Sequence, residues 1–269
     1  MELEPFEPQP SPTLPEDSSV QAPARRDMWS YWDLGGFVVF ALLSMILVSL
    51  GALAFNAALG SFWGIRIPVA APPYDLYWAL GVQTLWSAVV FVFVYYVVAI
   101  KYRLPLGEAL GFLPSRVPLA WFALLGLVLS VVIAGTGQLI GAPHETPLTE
   151  MLKDPNAVWV IGVFAVLLGP LFEEIIFRGF LFRPLERSLG GVAAIVITSA
   201  IFAAPHGAQY GWAWQILVLL FAAGASFGFV RWKSGSLWPA IVMHMAYNGL
   251  QVGVLIISQL LGIDVNAPQ

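Results

Sequence analysis

Apolar segments about as long as a bilayer is thick recur along this chain of 269 residues. A helix needs roughly 20 apolar residues to span about 30 Å of hydrocarbon. The segments that reach or approach this length are 34–60, 76–100, 118–140, 157–182, 191–206, 212–230 and 237–262. We therefore predict an all-α, polytopic membrane helix bundle with about seven transmembrane helices, or eight if the long last segment is divided. We expect a multi-pass protein of the cell membrane.

The composition excludes several other classes of protein. Charged residues make up 10% of the chain and hydrophobic residues 59%, whereas soluble domains carry roughly 25% charged residues. Nothing in the sequence resembles a basic surface for nucleic acid. The chain has no cysteine, which excludes a disulfide framework, a thiolate nucleophile and an iron–sulfur cluster. The expected partner is therefore the lipid bilayer, and no nucleic acid.

The first 30 residues differ from the rest, because they are rich in Pro, Glu and Ser and show no apolar period. Such a segment cannot bury enough apolar surface to fold alone. We predict a disordered, acidic, Pro-rich cytoplasmic tail over residues 1–30, with partner binding as the alternative. Three N-terminal transmembrane helices follow within residues 31–156, and residues 157–262 form a second region that carries the polar side chains discussed below.

The distribution of basic residues predicts the orientation of the bundle. With the N-terminus in the cytoplasm, nine of the twelve Lys and Arg residues fall in inside segments and two fall outside. The nine are Arg25, Arg26, Lys101, Arg103, Arg116, Arg183, Arg187, Arg231 and Lys233. An excess of Lys and Arg marks the cytoplasmic side of membrane proteins. We therefore predict an N-in, C-out topology.

Five ionisable side chains fall inside the predicted spans: Glu173, Glu174, Arg178, His206 and His244. Each costs roughly 2.5–3.5 kcal/mol or more at the centre of a membrane helix unless it is paired or faces a wet cavity. Isolated cases are often structural. Five in one chain indicate a functional site in the second half of the sequence.

The stretch LFEEIIFRGF, residues 171–180, carries three of these five side chains. Glu174 and Arg178 are four residues apart, so they share a helix face and can pair. Glu173 points about 100° away and has no local partner, which leaves one carboxylate free to act. Pro170 removes an amide hydrogen bond, and we expect a bend at Gly169–Pro170. The alternative is that both acids only join helices through arginine.

Two later helices each place a histidine four residues from another candidate. Phe202 and His206 share one face, and we expect Gly207 to end that helix. His244 and Asn248 share a face of the last helix, and an asparagine in lipid must find a partner, so this face should look inward. A hydrogen bond between helices is the alternative role for each histidine.

Together, these side chains form a set that can activate water. Glu173 can act as a general base, and Asn248 can donate to a developing oxyanion. The imidazoles can either hold a divalent metal ion or orient and protonate the reactants. The chain has no HExxH motif, so any metal would need ligands from separate helices.

The ordered motifs EExxxR, FxxxH and HxxxN closely resemble those of the CPBP family of intramembrane proteases. That family includes the type II CAAX prenyl endopeptidases and bacterial relatives linked to bacteriocin processing or immunity. The flanking sequences GPLFEEIIFRGFLF and SLWPAIVMHMAYNG also resemble the family. The resemblance covers residues 157–250, and it identifies residues 157–262 as a CPBP-like catalytic core.

The resemblance implies an all-α membrane core with a water-filled cavity, and a role for each motif residue in peptide-bond hydrolysis. Glu173 and His206 would activate water, while His244 and Asn248 would stabilise the oxyanion. The residues that would support them are Glu174, Arg178 and Phe202. A divalent metal such as zinc could bind Glu173, His206 and His244, because two histidines and a glutamate form a catalytic zinc set. Metal-free hydrolysis with water activated by glutamate is the alternative.

The expected substrate is a peptide or protein, and one branch of the family cleaves a lipidated C-terminus. Two other functions use the same residues. A proton-coupled transporter also needs intramembrane Glu, His and Arg, but it would favour an inverted repeat, and the first three spans show none. A non-catalytic immunity or scaffold protein would use the polar face to bind a partner.

Overall fold

The computed structural model describes residues 28–71, 74–152 and 154–262, with Pro155 and Asn156 described by their backbone alone. Within these residues there is no β-strand, and seven helices are long and apolar enough to cross a membrane. They are α1 (Tyr31–Trp63), α2 (Tyr74–Lys101), α3 (Leu119–Leu139), α4 (Ala157–Leu189), α5 (Gly191–Tyr210), α6 (Trp214–Ser234) and α7 (Trp238–Leu260). The all-α prediction with seven spans is confirmed. The alternative with eight is wrong, because the last segment is one helix. The predicted tail lies outside the described residues except for 28–30.

A polar cluster joins the start of α1 to the end of α2. The carboxylate of Asp33 accepts a hydrogen bond from the backbone N–H of Ser30 at 2.8 Å and from the Tyr102 hydroxyl at 2.7 Å. It also accepts from Lys101 Nζ at 2.5 Å. A carboxylate in the first turn suits the partial positive charge of a helix N-terminus. The cluster therefore holds the ends of the first two helices together on one side of the bundle.

Helix α4 is not a regular α-helix. Two π-helical segments, Phe164–Leu168 and Ile175–Leu181, flank the α-helical turn Gly169–Glu174. The helix continues through Pro170, which follows the first π segment almost directly, and the expected bend at Gly169–Pro170 stays a prediction. Such segments change the direction of the side chains that follow and are frequent at functional sites. Glu173 and Glu174 lie between the two.

Helix α5 ends differently from the sequence prediction. Its α-helical part, Gly191–Ala203, continues as a 3₁₀-helix through Ala204–Tyr210. The expected end at Gly207 is wrong, because the residue that caps the C-terminus of this extension, with left-handed backbone (φ 60°), is Gly211. Gly207 serves close packing instead, because a Cβ there would lie 2.4 Å from the ring of Trp212. The extension carries His206 beyond the regular helix.

The N-terminal helices pack directly on the helix that carries the EExxxR motif. The indole of Trp29, just before α1, stacks on Phe180 with 5.2 Å between ring centroids, and its Nε1–H donates to the Phe180 carbonyl at 2.9 Å. Phe37 packs on the same ring at 5.3 Å. These buried aromatics belong to an apolar cluster that also includes residues of α2 and α7. The fold thus fixes α4 from several sides.

Helices α3 and α7 approach each other closely at a glycine. A Cβ placed on Gly126 would lie only 2.2 Å from the backbone carbonyl oxygen of Met243. Small residues at a membrane helix interface allow such backbone contact. Met243 directly precedes His244, so this contact fixes the depth and rotation of the part of α7 that carries the last motif.

Candidate active site

A buried ion pair lies at the centre of the polar cluster. Arg178 Nη1 donates to Glu174 Oε1 at 2.9 Å, and neither side chain is exposed. The same carboxylate oxygen is 3.0 Å from His244 Nδ1. Arg178 Nη2 also donates to the backbone carbonyl of Gly224 at 2.6 Å. The predicted pairing of Glu174 with Arg178 is confirmed, and the pair links α4 to α6 and α7.

Glu173 occupies a different environment from its neighbour. Its side chain is 26% exposed, and both of its oxygens face an imidazole. Oε1 lies 3.9 Å from His206 Nε2, and Oε2 lies 3.7 Å from His244 Nε2. The expected separation of the two adjacent acids is therefore observed: one is buried in an ion pair, and the other is accessible. The structure brings the motifs of α4, α5 and α7 together.

The hydrogen bonds of the two histidines fix which ring nitrogen carries hydrogen. His206 Nδ1 lies 2.8 Å from the carbonyl oxygen of Phe202, which can only accept. His244 Nδ1 faces the Glu174 carboxylate, which accepts from Arg178 as well. Both Nδ1 atoms therefore donate. In the neutral imidazole each Nε2 presents a lone pair towards Glu173, and it can donate only when the ring is cationic.

The gaps between Glu173 and the imidazoles suit an intervening water molecule. At 3.7 and 3.9 Å the atom pairs are too far apart for a direct hydrogen bond. A water oxygen about 2.8 Å from each partner can contact both at once, displaced to one side of the line that joins them. A single water could thus donate to Glu173 Oε1 and to His206 Nε2. This is the arrangement that general-base activation requires.

Phe202 lies at the junction of the site. Its ring centroid is 5.0 Å from that of His206 and 5.8 Å from that of His244. It also meets Phe177 edge-on at 5.4 Å and lies 4.8 Å from the guanidinium carbon of Arg178. A cation over an aromatic face is stabilised electrostatically, more so where water is excluded. The contacts suit the supporting position expected for Phe202.

Two residues of α6 contribute to the site although the sequence analysis did not select them. Phe227 stacks on the imidazole of His244, with 4.4 Å between centroids and 19° between planes. Gly224 supplies the carbonyl that accepts from Arg178, and a Cβ on it would lie 3.1 Å from Arg178 Nη2. Gly224 and Gly228 form a GxxxG spacing, which is typical of close helix packing, but nothing in the sequence identifies the partner of this segment.

Asn248 faces inward, as its polarity predicts. Its side-chain amide donates to the carbonyl oxygen of Ala165 at 2.7 Å, and Ala165 lies in the first π segment of α4. The amide group has two N–H donors, so one stays available for another acceptor. The expected role in stabilising an oxyanion stays a prediction.

The possible metal site does not form a closed ligand set in this arrangement. No three His, Cys, Asp or Glu side chains in the described part of the chain converge closely enough to hold an ion. The Nδ1 bonds of His206 and His244 do resemble the outer hydrogen bonds of zinc-binding histidines. Because no such group of ligands forms there, the mechanism below includes no step through a metal.

Comparison with known proteins finds a family match in the region of the chain that carries the polar site. Residues 155–250 match the family described as Rce1-like, type II CAAX prenyl endopeptidase Rce1-like. The chain is 28% identical over 177 residues to the "Putative membrane peptidase YdiL" of Bacillus subtilis (strain 168), covering 63% of this chain and 70% of that protein. It is 27% identical over 150 residues to the "Membrane-embedded CAAX protease MroQ" of Staphylococcus aureus (strain USA300), covering 52% and 59%. No solved structure matches.

The seven apolar helices, the convergent polar site and these relatives define a multi-pass membrane endopeptidase. Residues 155–250 match the model of the Rce1-like family of type II CAAX prenyl endopeptidases. The resemblance inferred from the motifs is thereby confirmed. The family match and the two relatives do not favour the transporter or the non-catalytic scaffold.

Proposed function

We propose that Glu173 is the general base of this endopeptidase and that it activates water jointly with His206. The observation that carries the proposal is the placement of the two Glu173 oxygens 3.9 and 3.7 Å from two imidazole Nε2 atoms. Glu174 does not suit that role, because it is fully buried and its carboxylate binds Arg178 and His244.

In the first step, water held between Glu173 and His206 gives one proton to the Glu173 carboxylate. The water oxygen attacks the carbonyl carbon of the substrate peptide bond, and the carbonyl electron pair moves to its oxygen. The tetrahedral intermediate then carries one negative charge. Positioned general-base catalysis of this kind contributes typically 10²–10⁴-fold to the rate.

His244 and Asn248 are the proposed donors to that oxyanion. The Nδ1–H of His244 is committed to Glu174, so His244 can donate from Nε2 only as an imidazolium. Before the attack, that proton makes the four charges of Glu173, Glu174, Arg178 and His244 sum to zero. Once Glu173 has taken the proton from water, the negative charge of the oxyanion restores the balance, which limits the cost of placing these charges in a low-dielectric site. The second N–H of Asn248 supplies the other donor.

Collapse of the intermediate breaks the bond between the carbonyl carbon and the amide nitrogen. The proton that Glu173 took from water passes to the leaving amine, and a new carboxyl group remains on the other fragment. Glu173 returns to its carboxylate form. The cycle needs no covalent intermediate on the protein.

We further propose that the substrate is a peptide or protein cleaved near the membrane, and that a lipidated C-terminus is one class to test. The relative from Staphylococcus aureus is named a CAAX protease, which supports this choice. Membranes that contain wild-type protein should be compared by proteomics with membranes that contain Glu173→Ala. An uncut precursor found only with the variant identifies the substrate. Identical fragment patterns in the two membranes contradict the proposal.

A further inference from the structure

Arg231, near the end of α6, is a buried cation outside the active site. Its side chain is 3% exposed, and its Nε atom has no hydrogen-bond partner within the described residues. The guanidinium packs on backbone, since a Cβ on Gly111 would lie 2.6 Å from Nη2. A buried donor without an acceptor is costly. This arrangement indicates that Arg231 can donate a hydrogen bond to an acceptor on another molecule.

Arg231 lines a cavity that has an excess of positive charge. The cavity has a volume of about 330 Å³, and its charged lining residues are Arg183, Glu186, Arg187 and Arg231. Arg183 and Arg187 are one helical turn apart at the end of α4, and Glu186 lies three residues after Arg183. One carboxylate cannot neutralise three guanidinium groups, so an anion is favoured there. We call this cavity the basic cleft.

The surroundings of the basic cleft place it at the depth of lipid headgroups. Trp232, which also lines the cleft, packs against Gly191, where a Cβ would lie 2.2 Å from the indole ring. Lys233 Nζ lies 4.1 Å from the Trp232 ring centroid. Leu189 and Val192 are exposed nearby, where acyl chains would cover them. Tryptophan and basic residues are typical of the interface between membrane and water.

Packed side chains separate the basic cleft from the catalytic glutamate. Arg183 lies ten residues after Glu173 on α4, which is about 15 Å along a helix. Phe180, which lies between them on α4, Leu237, directly before α7, and Ile241, in the first turn of α7, are almost completely buried. A ligand in the cleft therefore has no described path to Glu173, which disfavours a substrate peptide as its occupant.

We propose that the basic cleft binds the phosphate of an anionic phospholipid in the leaflet on the side of the basic residues, which we expect to be cytoplasmic. Arginine donates to phosphate oxygens in bidentate, charge-assisted hydrogen bonds. Basic pockets between transmembrane helices on that side suit anionic headgroups. The phosphate satisfies the unused donor of Arg231 and offsets the repulsion among Arg183, Arg187 and Arg231, while the acyl chains lie along Leu189 and Val192.

The test is native mass spectrometry of the full chain in detergent, with equal concentrations of phosphatidylglycerol and phosphatidylcholine. Wild type should retain one phosphatidylglycerol with a preference of about tenfold or more. Arg183→Gln with Arg187→Gln should reduce that preference about tenfold, since loss of a charge-assisted hydrogen bond has this order of effect. Arg116→Gln is the matched control, because Arg116 is an exposed arginine of the same side and its loss should change nothing.

Arg231→Gln is measured in parallel, and its circular dichroism shows whether this variant folds. If it does not fold, the double variant Arg183→Gln with Arg187→Gln still tests the proposal, because Arg183 is half-buried and Arg187 is exposed. Equal retention of the two lipids by wild type, or an unchanged preference in the double variant, overturns the proposal. Displacement of the lipid by millimolar inorganic phosphate shows a free-anion site instead. Amidation of the C-terminus of a substrate peptide removes its carboxylate. If amidation weakens peptide binding to wild type but not to the double variant, the basic cleft binds the peptide carboxylate, and this result also overturns the proposal.

Discussion

His244 Nδ1 and Arg178 Nη1 both lie within hydrogen-bond distance of one oxygen, Oε1 of Glu174, at 3.0 and 2.9 Å. The buried acid therefore fixes the orientation of one catalytic candidate through a bond it shares with a cation from its own helix. Glu173, the adjacent residue, is left free to face both histidines. We propose that the two neighbouring glutamates have different roles: Glu174 positions His244, and Glu173 contacts the reactants.

The first prediction concerns the carboxylate of Glu173. Glu173→Gln keeps the shape of the side chain but removes the base, so the rate of peptide cleavage should fall about 10²–10⁴-fold. Cleavage of a quenched-fluorescence peptide by reconstituted protein measures the rate. Its thermal unfolding should match that of wild type, because the side chain is 26% exposed and lies 3.7 Å or more from the histidines that face it, too far for a direct hydrogen bond.

Glu145→Gln provides the control for this variant. Glu145 lies exposed in the loop between α3 and α4, far along the chain from the motifs. Its neutralisation should leave the rate unchanged. Cleavage by Glu173→Gln at the wild-type rate contradicts the assignment of the base.

The spacing of residues in the sequence was sufficient to predict the central pair of the site. Glu174 and Arg178 are four residues apart, and the pair forms as expected even though it begins in an α-helical turn and ends in a π segment. The seven spans were also predictable, because each depends on a long apolar run that no later contact alters. Local pattern was enough for both.

Other parts depend on contacts between distant segments, and the sequence contains no local signal for them. Two contacts arise only when α6 packs on α4 and α7. Phe227 stacks on His244, and the Gly224 carbonyl accepts a hydrogen bond from Arg178. A count of about 1.5 Å per residue from the helix ends would place His206 at a different depth in the bilayer from Glu173. That count assumed regular helices, whereas α4 contains π segments and His206 lies in a 3₁₀ extension.

The second prediction concerns the buried ion pair. Arg178→Leu leaves Glu174 as an uncompensated buried carboxylate, so we expect a loss of stability of about 3–5 kcal/mol. Thermal unfolding in detergent measures the loss. The double variant Glu174→Leu with Arg178→Leu should be more stable than Arg178→Leu alone, because no lone charge remains, and yet it should stay inactive, because His244 loses its acceptor.

A double variant no more stable than the single one contradicts this account of the pair. Recovery of activity in the double variant is equally incompatible with it, since the orientation of His244 would then not depend on Glu174.

The third prediction compares two glycines of α3. Gly126→Ala puts a methyl group 2.2 Å from the Met243 carbonyl oxygen, so α3 and α7 must move apart. Forcing a side chain into a packed interface costs typically 1–3 kcal/mol. Gly135→Ala is the matched control: nothing lies within 4 Å of its Cβ, and alanine favours the helix by about 1 kcal/mol.

The melting temperature should therefore fall for Gly126→Ala and stay equal or rise for Gly135→Ala. Activity should fall with Gly126→Ala as well, since the displaced segment carries His244. Equal melting temperatures for the two variants contradict the close contact between α3 and α7.

The last prediction distinguishes the two ways of activating water. In the proposed mechanism Glu173 and His206 act on water directly, so removal of divalent metal with a chelator, followed by gel filtration, should leave the rate of peptide cleavage unchanged within about twofold. Elemental analysis of the active protein should find less than one zinc per chain. Loss of activity on chelation, with recovery on stoichiometric zinc, assigns the metal to Glu173, His206 and His244 instead. In that case Glu173→Gln should also lower the amount of zinc bound, whereas in the metal-free mechanism it changes only the rate. The combination of the two measurements separates a glutamate that takes the proton from one that holds the ion.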